Sequence, residues 1–217
     1  MLALCLCLNQ SNPQQMSCPL SGDLMKISEK IAKAVRIVTA PPVFIGLLLI
    51  GCIAQKGGAF ASPGLFAAVF FLQVLTPALA YPAQKILPRF KDQGRGGQRR
   101  LAFIFTAVGY TLSLACALIF HAGEDLLFIT VTYFAAALLL AVINKFSKVH
   151  ASGHACSAIG TMACMIKFFG CALIAPCAVV AAATMWASLK LGRHTAPEFI
   201  LGAVTGIAAF CVSLIII

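Results

Sequence analysis

A chain of 217 residues that is 61% hydrophobic and only 10% charged, with a mean hydropathy of +0.97, has too few polar side chains to cover a folded surface in water. That composition excludes a soluble globular domain and makes the bilayer the solvent. The net charge of +10 lies in loops between apolar runs, so it reports topology and anionic lipid, and no nucleic-acid partner is expected.

The apolar runs are continuous and do not alternate with period two, which favours helices over a membrane barrel. Residues 1–24 read as neither a signal peptide nor a stable helix. Asn9 to Gln15 is polar around Pro13, no basic segment precedes the short apolar start, and no clear cleavage site follows. This segment is expected to be disordered or untranslated, with Met25 as the true start. Lys26 to Arg36 forms a basic amphipathic stretch. Seven spans follow, at 38–54, 60–80, 101–120, 126–143, 153–168, 169–187 and 196–216. Pro41-Pro42 marks the start of the first, where a missing amide donor does least harm. The fifth and sixth are divided only by Lys167 to Gly170. The expectation is an all-α integral membrane protein, a bundle of about six to seven helices forming one domain over 25–217. Gly94, Gly96 and Gly97 predict a flexible loop before the third span. Gly202 and Gly206 offer a small-residue packing face in the last.

Six cysteines, Cys52, Cys116, Cys164, Cys171, Cys177 and Cys211, lie inside apolar runs and behave as small hydrophobes. No CxxC zinc pattern occurs and no disulfide is implied. His150 and His154 near Cys156 lack a fourth ligand, so no metal is expected.

Seven spans divide the sixteen basic residues sharply. Lys56 and Lys167 fall on one side; the other fourteen fall on the side that holds the N-terminus. The positive-inside rule then places the N-terminus in the cytoplasm. His121, Glu124 and Asp125 fall on the outer side, away from the chemistry described next.

Two loops on the cytoplasmic side carry histidines just before a span. One reads Lys148-Val149-His150-Ala151-Ser152-Gly153-His154, the other Arg193-His194-Thr195-Ala196-Pro197-Glu198. The basic segment 81–100 faces the same compartment. Histidines, a carboxylate and cations at one membrane surface suit phosphoryl chemistry, which needs cations for the phosphate oxygens, a nucleophile and a proton donor. His194 and Glu198 are four apart and share a helix face, so the carboxylate can fix the imidazole tautomer. Ser152-Gly153 suits a helix N-terminus, whose free amides attract anions.

Ala151-Ser152-Gly153-His154 resembles the Pro-Ser-Gly-His motif of the type 2 phosphatidic acid phosphatases. Ser188 to Glu198, followed by Gly202, resembles that family's last motif, which runs from Ser-Arg through His to Asp. The forty residues between His154 and His194, holding two spans, also look like the family's. The resemblance covers about residues 85–217 and is closest to divergent bacterial branches. It implies a helical bundle with an active site at the membrane surface. It also implies roles: His194 as the nucleophile, Glu198 as its orienting carboxylate, His154 as the proton donor, and Gly153 as an amide donor to phosphate. Ser152, Lys148, Arg99, Arg100 and Arg193 are the remaining candidate phosphate ligands. The sequence departs from the pattern in four places. Ser188 stands where the motif has Arg, Ala151 replaces Pro, and Glu198 replaces Asp. The family's first motif, a Lys followed by Arg-Pro, is met only by Lys91 with Arg99-Arg100, at a longer spacing and without Pro.

The function expected is hydrolysis of a phospholipid or polyprenyl phosphate or diphosphate through a phosphohistidine, with no cofactor. The alternative is a catalytically inactive relative that binds or transports lipid phosphates. An unrelated small transporter would show polar residues mid-span, where Gln73 is the main candidate. The sequence does not fix the oligomeric state.

Overall fold

The computed structural model describes residues 19–217, and side chains from residue 26 onward. All regular structure among the described residues is helical. Helix α1 is Pro19–Val38, α2 is Pro41–Ala59 with a 3-10 last turn, and α3 is Pro63–Ile86. Helix α4 is Gly94–Ile119, α5 Glu124–Phe146, α6 Gly153–Phe169, α7 Cys171–Lys190 and α8 Ala196–Ile216. Six of them, α2 through α5 with α7 and α8, are long and apolar enough to cross a bilayer. The chain is an all-α multi-pass membrane bundle.

The fifth expected span is present as α6, which at 17 residues is shorter than the roughly 20 that a bilayer requires. Its position explains the difference. Helices α2, α5, α7 and α8 all pack against it, so protein rather than lipid surrounds most of it. Gly170, at φ 98°, provides the left-handed turn that separates α6 from α7.

Of the segment before Met25, residues 1–18 lie outside the described residues, and Pro19 to Leu24 are helical and open α1. One expectation is corrected. The glycines at 94, 96 and 97 do not form a flexible loop; they begin α4. Gly97 is buried where an added Cβ would lie 2.7 Å from Gln93 Cβ and 3.0 Å from the Phe90 carbonyl. The glycines admit a tight corner between the short helical turn Pro88–Lys91 and α4, a corner that Gln84 ties by donating to the Gly94 carbonyl at 2.7 Å.

The core lies between α2, α3, α4, α5 and α6, around Leu48, Leu49, Phe60, Tyr110, Ile129 and Tyr133. Tyr110 and Tyr133 rings sit 5.3 Å apart, and Tyr133 exchanges a 2.6 Å hydrogen bond with Thr161 on α6. Gln73, singled out from the sequence, is fully buried in a π-helical turn, Phe71–Leu75, inside α3. It donates to Ser113 at 2.9 Å, while its carbonyl oxygen has no partner among the described residues. The helices close tightly here because Gly109 leaves room for the Leu72 carbonyl, which an added Cβ would meet at 2.3 Å.

The bundle has two polar ends. At one, Lys56 pairs with Asp125, and Lys56 and Lys167 both lie over the Phe168 ring. The two basic residues that the charge count set apart therefore do share one end. His154 and His194 sit at the other, at the starts of α6 and α8.

Helices α6 and α8 share the most extensive contact among the described residues. Cβ atoms built at Gly202 and Gly206 would fall 2.3 Å from the carbonyl oxygens of Ser152 and Cys156. The backbone of α6 occupies the space that side chains would take. Gly206→Ala is expected to lower stability by about 1–3 kcal/mol through forced separation of the two backbones. Thermal unfolding in detergent measures it, and an unchanged melting temperature would contradict the packing described.

Candidate functional site

Local sequence sets the two helix starts. Ser152 is the N-cap of α6, with its hydroxyl accepting from the Ala155 amide at 3.3 Å. Asn144, at the end of α5, holds the preceding loop by accepting from the Ala151 amide at 2.6 Å. His154 is thereby fixed in the first turn of α6. Thr195 caps α8 in a reciprocal capping box, with the Glu198 carboxylate accepting from the Thr195 amide at 3.0 Å. Pro197 fits the first turn, where its missing donor costs nothing.

The same Glu198 oxygen lies 3.2 Å from His194 Nδ1. One carboxylate thus caps the helix and orients the imidazole. Because a carboxylate only accepts, Nδ1 carries the hydrogen, and the lone pair of the neutral ring is left on Nε2. The His194 side chain is 11% exposed, enough for one edge to be reached.

His154 is oriented from another direction. Its Nε2 lies 3.1 Å from the Thr39 hydroxyl, in the link between α1 and α2. The single Thr39 hydroxyl proton goes to the Val35 carbonyl at 2.9 Å. Thr39 therefore accepts from His154, and the ring carries its proton on Nε2.

Backbone contact brings the two histidines together. The Ser152 amide donates to the Glu198 carbonyl at 2.9 Å, joining the starts of α6 and α8 directly. His154 and His194 lie within electrostatic reach of each other. Arg99, at the start of α4, reaches both His194 and Glu198 electrostatically.

The sequence candidates separate as follows. His154, His194, Glu198 and Arg99 converge, and Gly153 lies between the cap and His154, in the turn whose amides lack helical acceptors. Ser152 is fully buried, with amide and hydroxyl both used within the protein. Arg193 is exposed and acts electrostatically on Arg36. Arg100 and Lys148 are exposed and make no hydrogen bond or ion pair to this cluster among the described residues. His150 is exposed, away from the buried Cys156, and no group of three metal-binding side chains occurs among the described residues.

Two residues at the site were missed from sequence. Thr39 touches His154. Arg36 donates through Nη1 to the buried Ser188 hydroxyl at 2.9 Å, 152 positions away in the chain. The available signal was parity: both precede the first span on the side that holds the histidines. No family model, curated protein or solved structure matches this chain.

Burial holds His194 below its ordinary pKa; Glu198 acts upward, Arg99 and Arg36 downward, and the net direction is down. The imidazole is neutral at pH 7, and below its usual value of about 6.5 the folded state resists a proton that the unfolded chain accepts, so stability falls as pH falls. Glu198→Gln removes an upward influence and is expected to move the His194 titration lower still. Histidine-resolved NMR titration in detergent checks this; an upward shift would refute the pairing.

Proposed function

We propose that this protein is a membrane-embedded phosphohydrolase acting on a phospholipid or polyprenyl phosphate or diphosphate from the cytoplasmic leaflet. One observation carries the reading: a carboxylate-oriented imidazole, His194 with Glu198 at 3.2 Å, stands beside a second histidine among arginines at the end of a bilayer-spanning bundle. Motif resemblance supports the same chemistry.

His194 Nε2 attacks phosphorus, forming the N–P bond as the P–O bond to the leaving group breaks. The leaving oxygen takes a proton from His154 in its protonated form. Burial, Arg36 and His194 hold the pKa of the His154 ring down to about 3 without a ligand, so this form requires the phosphate dianion, whose adjacent negative charge favours imidazolium. Water then attacks the phosphohistidine, giving its proton to His154 and releasing inorganic phosphate. Glu198 holds the His194 ring through both steps, and Arg99 offsets charge on the phosphoryl oxygens.

In this reading the lipid tail lies in an apolar groove near this end. The groove, of about 290 Å³, runs between α2 and α3, lined by Pro42, Gly46 and Leu47 on one side and Val74, Leu75 and Ala78 on the other. Its Pro42 end lies three residues from Thr39, so acyl or prenyl carbons held there stay in hydrocarbon while the head group meets the histidines.

Ser188 at the motif's arginine position favours one second reading, a relative that binds lipid phosphate without hydrolysing it. Phosphate release from phosphatidate, phosphatidylglycerol phosphate and polyprenyl diphosphate by the detergent-solubilised protein separates the two. His194→Ala is expected to lower release by at least about 10³-fold with the fold retained. Retained hydrolysis in that variant would sink the nucleophile assignment, and no release from any lipid by folded wild type would favour the binder.

A further inference from the structure

Helix α1 is not one of the six spans, yet it supplies a charge to the site. Arg36 is half-buried beside Ser188 and lies within electrostatic reach of His154 and of His194. Three residues on, Thr39 contacts His154, so the end of α1 touches α6 and α7 at once.

Among the described residues the charge of Arg36 has no acidic partner. Glu29, the acidic side chain described on α1, is exposed and pairs with Lys33 at 2.9 Å. Glu198 is committed to Thr195 and His194. Among the described residues no carboxylate pairs with Arg36, and its charged neighbour Arg193 is of the same sign. A guanidinium has five N–H donors, and among the described residues one is used, on a neutral hydroxyl. Burying a cation without a counter-ion is costly, and burial together with Arg193 presses Arg36 below its ordinary pKa. An anion entering between the histidines relieves this cost.

We infer that Arg36 is a phosphate-binding residue of this site, held by Ser188 and presented from the N-terminal helix, and that its ligand is a phosphate dianion. The assignment rests on the phosphohydrolase reading for its lipid and adds the cation that the chain lacks at position 188. Ser188 is then the positioning residue: its hydroxyl holds a guanidinium that arrives from elsewhere in the chain. The fork geometry of arginine suits two phosphate oxygens at once.

The test measures binding without turnover, in the full-length His194→Ala protein in detergent, with phosphatidate, diacylglycerol and inorganic phosphate as probes. Arg36→Met in this background is expected to weaken phosphatidate binding by about 10- to 100-fold while diacylglycerol binding is unchanged. Moving the guanidinium, by Arg36→Met together with Ser188→Arg, is expected to recover affinity. Should Arg36→Met fail to fold, Arg36→Gln keeps a donor for Ser188 and is expected to show the same selective loss. Phosphatidate binding equal to the parent in the folded variant overturns the inference, as does an equal loss for diacylglycerol, which would mark a structural effect. Arg36-dependent binding of inorganic phosphate alone assigns recognition to the free group; Arg36 dependence only with phosphatidate assigns it to the lipid head group, and both support Arg36. If wild type releases no phosphate but lipid binding depends on Arg36, the hydrolase reading falls and this one stands. If release is retained and Arg36→Met matches its parent, the reverse holds.

Discussion

The backbone contact between α6 and α8 is the constraint on which the rest depends. Gly202 and Gly206 let two α6 carbonyls approach to a distance no side chain permits, and the Ser152 amide closes the seam on the Glu198 carbonyl. In a bilayer, apolar side chains gain little by leaving lipid for protein, so close packing and polar contacts hold helices together. The seam also sets depth. It puts the starts of two helices side by side, with His154 in the first turn of one and His194 just before the cap of the other. The site follows from helix packing, without a separate domain to build it.

Around that seam, polar groups serve more than one purpose. A single Glu198 oxygen caps α8 and fixes the His194 tautomer. Thr39 satisfies its own helix through Val35 and fixes the His154 proton on Nε2. With few polar residues available, shared contacts let a small number of side chains define two rings. At the opposite end, Lys56, Asp125 and Lys167 cluster with phenylalanines and no comparable histidine pair.

Much of this was legible in the sequence because hydropathy and charge are local signals. All seven apolar runs became helices, and the i, i+4 spacing of His194 and Glu198 became a contact. One failure has a tertiary origin. Glycine at 94–97 was read by its intrinsic flexibility, whereas the tertiary corner near Phe90 and Gln93 selects it for lack of a side chain. Helix α1, which docks on α7, begins at Pro19, ahead of Met25. Arg36 escaped notice because its partner is 152 residues distant and no periodicity links them. Local patterns reveal elements; they do not reveal which element lends a side chain to another's site.

That separation also governs when the site can exist. Ribosomes add about 5–20 residues per second, so Arg36 is made roughly 8–30 seconds before Ser188. For most of that interval α1 has neither α7 to pack on nor the His154 ring to meet Thr39. Helix α1 is made ahead of the helices it packs on, and Arg36, Thr39, His154 and Ser188 meet only once α7 has been made.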